Sequence, residues 1–155
     1  MANTDNQCAG LEIEDLYSQS NDTLGDIMIL QKDTQLTVYG YDFSKMSLRE
    51  IMFFWHANTH ALVDEIHEAT DALGGIKDGS GNAIWKYWKK DYSKYSEIKF
   101  SDLSESDQLE AKFEIIDILH FFMNMAISIG MTPEEMYNMY MAKNKENRDR
   151  QERGY

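Results

Sequence analysis

One stretch restricts this chain more than any other: Phe113 to Ile129, FEIIDILHFFMNMAISI. Turned at about 100° per residue, it is apolar around most of a helix, and a helix of that kind is buried. One narrow band differs. Glu114, Asp117, Asn124 and Ser128 fall within an arc of about 80°, with Phe121 between them and His120 just outside. A carboxylate on a buried helix needs something to compensate its charge. Glu114 and Asp117 stand one turn apart on one face, so both can point at a single object. A divalent metal ion is the natural candidate.

A second acidic pair lies upstream. Ser47-Leu-Arg-Glu50 has a hydroxyl and a carboxylate three apart before an apolar run, the pattern of a capping box. It opens a long helix expected to reach Leu73, where Gly74-Gly75 ends it. The expected core stripe is Ile51, Trp55, Leu62, Ile66, Ala69 and Leu73. Glu65 sits on the shoulder of that stripe, among Phe54, Asn58, Ala61 and Ala72, with Glu68 further round. An E-x-x-E pair is usually just a solvated helix face. The Glu114/Asp117 pair stands out because its helix has almost no other polar surface.

The rest of the chain reads as helix and loop. Residues 1–20 are expected to form a flexible arm, with LEIEDLY as a short helix, and 21–155 a single domain. A first helix is expected over 23–37, carrying Gln31 and Gln35, and Tyr39-Gly40-Tyr41-Asp42 breaks it. A short helix is expected over 83–91, in an aromatic and basic segment with Trp85, Lys86, Trp88, Lys89 and Lys90. Ser104 or Ser106 caps the acidic helix, and Gly130 ends it. Thr132-Pro133-Glu134-Glu135 starts the last helix, over 133–150, whose second half places Lys143, Asn147 and Arg150 on one face. The expected fold class is all-α, an antiparallel helical bundle with a short aromatic and basic helix between the two acidic helices.

Charge narrows the function. The chain carries 27 Asp and Glu against 15 Lys and Arg, a net −12, which argues against binding a nucleic-acid polymer. The single cysteine, Cys8, cannot form an internal disulfide, which suits a reducing, cytoplasmic home. Nothing in MANTDNQCAG resembles a signal peptide, and no apolar run of about 18 residues suggests a membrane span. Facing each other, Glu65-x-x-Glu68 and Glu114-x-x-Asp117 would form a cage of hard oxygen ligands suited to Mg²⁺ or Mn²⁺. The usual partner of such a cage is a di- or triphosphate, with Lys143, Asn147 and Arg150 as contacts to phosphate oxygens. The implied chemistry is metal-assisted hydrolysis.

Taken in order, Glu65-x-x-Glu68, KYWKK, Glu114-x-x-Asp117 with LHFF, and the tail KNKENRDRQERGY resemble the all-α nucleoside triphosphate pyrophosphatases, the superfamily of dimeric dUTPases and MazG-like enzymes. Leu30-Gln31, the HF after the second acidic pair and the Gly-Tyr end bring the likeness nearest to the dimeric dUTPase branch. It covers roughly residues 24–155. The resemblance implies hydrolysis of dUTP to dUMP and pyrophosphate. Two or more Mg²⁺ per site would be held by Glu65, Glu68, Glu114 and Asp117, with Glu65 or Glu68 also positioning the attacking water. Lys143, Asn147, Arg150 and Tyr155 would bind phosphate or sugar, and Gln31 would line the base pocket. Gln35, Asn58, Lys86 and Asn124 complete the expected nucleotide contacts. A homodimer or homotetramer, and a bacterial or phage-infected host cell, are implied too.

The sequence departs from that branch at Thr34-Gln35, where a Leu-Asn pair is usual. The rival substrates are therefore dGTP and dATP, as in MazG-like phage enzymes. Two alternatives come from other classes. Asp64-x-x-His67 and Asp117-x-x-His120 evoke a di-iron carboxylate bundle, which would need the Glu65 helix rotated by about half a turn. The other is a helical binding module without catalysis.

Overall fold

The structure, a computed structural model, describes residues 21–73, 87–88 and 97–154. The fold class is all-α, a helical bundle. Its elements are α1 (Thr23–Thr37), α2 (Leu48–Leu73), a 3₁₀ turn (Phe100–Asp102), α3 (Glu105–Ser128) and α4 (Pro133–Glu152), with no strand among the described residues. The arm, Gly74-Gly75 and most of the expected 83–91 helix lie outside the described residues; Tyr87 and Trp88 form a turn.

Local chemistry accounts for the helix ends. The Asp22 carboxylate accepts from the Gly25 amide at 2.9 Å and starts α1. A Cβ on Gly25 would collide with that carboxylate, so the glycine lets the cap lean over the first turn. Ser47 and Glu50 form the expected reciprocal pair at the start of α2: the Ser47 amide donates to Glu50 Oε2 at 2.7 Å. Ser104 caps α3, accepting from the Asp107 amide at 3.1 Å. After α3, Gly130 adopts φ +78°, and its amide bonds Ile127 O while the Met131 amide bonds Ala126 O. That double closure requires a left-handed residue, which glycine adopts without a steric penalty. Thr132 then accepts from the Glu135 amide at 3.1 Å, and Glu135 Oε2 accepts from the Thr132 amide at 2.9 Å.

The chain divides into two compact units. One contains His56–Phe122, the other Ser20–Trp55 with Met123–Tyr155. In the second, α1 touches α4, and Phe54 meets the rings of Tyr41 and Phe43 edge-on at 4.9 and 5.0 Å. In the first, the buried residues among those described are Asn58, Ala69 and Ala72 from α2 and Glu110, Ala111 and Glu114 from α3.

That burial corrects the expected stripe on α2. Ala69 is buried, but Ile66 and Leu73 are 43% and 40% exposed, and the buried line runs instead through Phe54, Asn58, Ala69 and Ala72. On α3 the apolar side is likewise half open, with Ile115 at 56%, Ile116 at 44% and Phe122 at 49% exposure, while Glu114, Asn124 and Ser128 are buried. The physical reason lies in side-chain size. Alanines on both helices leave room for carboxylates from α2 and α3 to meet, and the larger side chains fall outside the contact.

Candidate metal centre

Glu65 and Glu68 project from neighbouring turns of α2, and Glu114 from α3. One carboxylate oxygen of each lies within 4.8 Å of the other two. Glu114 is 5% exposed, Glu65 half-buried and Glu68 exposed, so the three form a gradient from core to solvent. The Glu65 and Glu114 carboxyl groups lie close enough for a proton shared between them to relieve part of their repulsion. Glu65 Oε2 is buried and receives no hydrogen bond. Burial pushes the Glu65 pKa above its ordinary value, the nearby charges of Glu68, Asp117 and Asp64 push the same way, and the contact with Glu114 offsets part of the rise.

An arrangement of this kind stores unfavourable charge unless a cation or proton resolves it. The donor set, three carboxylates with a buried, unbonded Glu65 oxygen among their atoms, fits a hard divalent ion whose remaining positions are filled by water or substrate. Among the described residues these carboxylates are the group of three or more ligand side chains that could hold a metal, and neither His67 nor His120 joins it. Asp117 is close enough to raise the Glu65 pKa but stands outside the group of three. Its Oδ1 faces His120 Nδ1 at 3.5 Å.

One buried carboxylate escaped the sequence reading. Glu110 is 8% exposed and lies one turn before Glu114 on the same face of α3. The signal was present, since Glu110, Glu114 and Asp117 follow i, i+4, i+7 spacing. Asn58 is also buried, two turns before Glu65 on α2.

Gln31, Gln35, Asn124 and the expected contacts on α4 fall in the second unit. Gln31 Nε2 donates to Asn124 Oδ1 at 2.7 Å, and Asn124 is 4% exposed. Gln35 is buried, and its carbonyl accepts from the Tyr41 amide at 2.9 Å. On α4, Lys143 and Asn147 are exposed. Arg150 Nε donates to Glu146 Oε1 at 3.0 Å, and Arg153 Nη2 donates to the same oxygen at 2.9 Å. Glu146, Arg150, Arg153 and Gly154 line a cleft of about 570 Å³. Arg153 was not singled out from sequence, although it follows Arg150 by three residues. Lys86 and Tyr155 lie outside the described residues.

Comparison with known proteins gives these sites a setting. A dCTP pyrophosphatase of Enterobacteria phage T4 is 32% identical over 167 residues, covering 97% of this chain and 98% of that protein. The chain belongs to the family of phage dCTP pyrophosphatases. A dCTP pyrophosphatase of Enterobacteria phage LZ5 is 45% identical over 108 residues, covering 68% of this chain and 63% of the LZ5 protein's length. A DNA replication protein of phage T4 is 31% identical over 157 residues, 90% of this chain but 40% of that protein. No family profile matches the chain. No solved structure matches it either.

Proposed function

We propose that this chain hydrolyses a deoxynucleoside triphosphate to the monophosphate and pyrophosphate, with dCTP as the preferred substrate. The observation that carries this is the convergence of the Glu65, Glu68 and Glu114 carboxylates, with a buried, unbonded oxygen on Glu65. The names of the two phage relatives support dCTP. Glu65, Glu68, Glu114 and Asp117 would hold Mg²⁺, two or more ions per site, with Mn²⁺ as a substitute. When bound, Mg²⁺ neutralises phosphate charge and lowers the pKa of water.

The chain's own groups divide the remaining work. Glu65 or Glu68, beside the ion they would hold, is placed to position the attacking water and take its proton. Glu114 anchors the pair from the buried side, and Glu68 holds the solvent side. Arg150 exchanges its Glu146 partner for phosphate oxygens, which offer the same charge and acceptor chemistry. Lys143, Asn147 and Tyr155 join it, with Lys86, Asn58 and Gln35 as further nucleotide contacts. Gln31 and Asn124 bring side-chain amides suited to a pyrimidine edge. An amide offers both a donor and an acceptor, and this pair supports dUTP as the second reading.

The half-exposed Ile66, Leu73, Ile115, Ile116 and Phe122 support self-association as a homodimer or homotetramer, which sedimentation analysis tests. No single helix among the described residues is long and apolar enough to cross a membrane. The phage relatives support the cytoplasm of an infected cell as the proposed setting.

The test is pyrophosphate release from a panel of dNTPs, with Mg²⁺ and with chelator. Highest kcat/KM on dCTP supports the proposal. A preference for dGTP or dATP removes the base assignment but leaves the chemistry. Orthophosphate as the product, or turnover unaffected by chelator, overturns the mechanism.

A further inference from the structure

The outer side of α2 carries a different set of donors. His56, His60 and His67, three of the four histidines in the chain, fall with Asp64 inside an arc of about 80°. His56 and His60 stand one turn apart and are both exposed. Their ring centroids are 4.6 Å apart, with the ring planes at 64°. Glu65 points about 140–180° away from these two histidines around the same helix. The imidazoles are thus separated from the carboxylate centre by the body of α2.

We propose that His56 and His60 form a second metal site, chelating one borderline transition-metal ion such as Ni²⁺ or Cu²⁺, with water in the remaining positions. Two imidazoles at i and i+4 project from the same face and can close on one ion without moving the backbone. The two rings already lie against each other, with 4.6 Å between their centroids, so one ion can be reached by a nitrogen of each.

The chemistry of the two sites is complementary. Imidazole nitrogen favours Cu²⁺, Ni²⁺ and Zn²⁺, whereas the carboxylate oxygens on the other side favour Mg²⁺ and Mn²⁺. A chain of net charge −12 also concentrates cations of either kind at its surface. Both rings are open to solvent, so the ion enters without opening the fold. The expected affinity order is Cu²⁺ above Ni²⁺ above Zn²⁺, following the general order for nitrogen ligands.

The experiment uses the full chain, purified without a histidine tag, in a Cys8→Ser background that removes the one thiol as a competing soft ligand. With Mg²⁺ held in large excess to occupy the carboxylates, Ni²⁺ is titrated by calorimetry, and histidine ring signals are followed by NMR. The expected result is one Ni²⁺ per chain, with His56 and His60 signals broadened first. His56→Gln and His60→Gln should each weaken binding at least about tenfold. His67→Gln and Glu65→Gln should leave it unchanged. Undiminished Ni²⁺ binding in the His56→Gln/His60→Gln double variant, or its loss in Glu65→Gln alone, overturns the proposal. So does absence of Ni²⁺ binding to the parent chain. Both histidines are exposed, and retained helicity by circular dichroism separates lost ligation from lost fold.

Discussion

The polar stripe of α3 changes character along its length. In the first unit it presents Glu114, nearly enclosed and drawn into a carboxylate group with Glu65 and Glu68. In the second it presents Asn124 and Ser128, equally buried but neutral. Asn124 accepts from Gln31, while Ser128 Oγ accepts from Trp55 Nε1 at 2.8 Å and donates to Met125 O. The neutral half is satisfied by the protein itself. The acidic half contains a buried oxygen with no donor and a carboxyl whose proton affinity is raised by burial and like charge. Buried polar groups completed from within serve the fold, and those left incomplete mark where something else binds.

The sharpest break of that contrast is Glu114→Gln. The change keeps shape and hydrogen-bonding capacity but removes the buried charge. Turnover of dCTP should fall by about a thousandfold, or about 4 kcal/mol of transition-state stabilisation, with helicity retained. Near-normal kcat would place the reaction elsewhere.

A second prediction uses pH. Glu65 has a folded pKa above its ordinary value of 4.5. Below 4.5 the carboxyl is protonated in both folded and unfolded chains, and the site carries no penalty. As pH rises through the raised value, the folded protein must hold an ionised carboxylate that the unfolded chain holds more easily, so stability is lost. In chelator, Tm should therefore decline with rising pH across this window, and Mg²⁺ should reverse the decline. Glu65→Gln should flatten the pH dependence, blunt the Mg²⁺ response and abolish activity. A chelator-treated protein with no pH-dependent loss attributable to Glu65 would show that the fold already compensates its charge.

The helix ends were legible because capping is local. Ser47 with Glu50, Thr132 with Glu135, and Gly130 each act within a few residues, and the structure uses all three as expected. The faces were less legible. Periodicity favours the bulkiest stripe, and on α2 it selected Ile66 and Leu73, which remain well exposed. The buried line is built from Asn58, Ala69 and Ala72, whose apolar signal is small although their fit is close. Glu110 was overlooked for a related reason: it precedes the strongly apolar stretch that drew attention to Glu114. Pairings across distance left no sequence trace, as with Gln31 and Asn124, which are 93 residues apart.

A change at that pairing is the next test. Gln31→Ala removes the donor to Asn124 Oδ1 and leaves a buried acceptor to find water or move, at about 1–3 kcal/mol. If the amides also meet the base, discrimination between dCTP and dUTP should narrow by about tenfold, beyond the loss of stability. A stability loss with unchanged substrate preference would assign the pair to the fold alone.

The smallest expected effect comes from Ser128→Ala, which tests the structural half of the stripe. It removes the acceptor from Trp55 Nε1 and the donor to Met125 O. Met125 O belongs to the helix ladder, so the main cost falls on the indole N–H. Trp55 is only half-buried, which lets water replace part of the bond and holds the loss to about 1 kcal/mol, a few degrees in Tm. Turnover and Mg²⁺ dependence should remain those of the parent protein. A large loss of kcat at constant stability would mean that the neutral half of α3 also acts in catalysis, and the division between its two halves would fall.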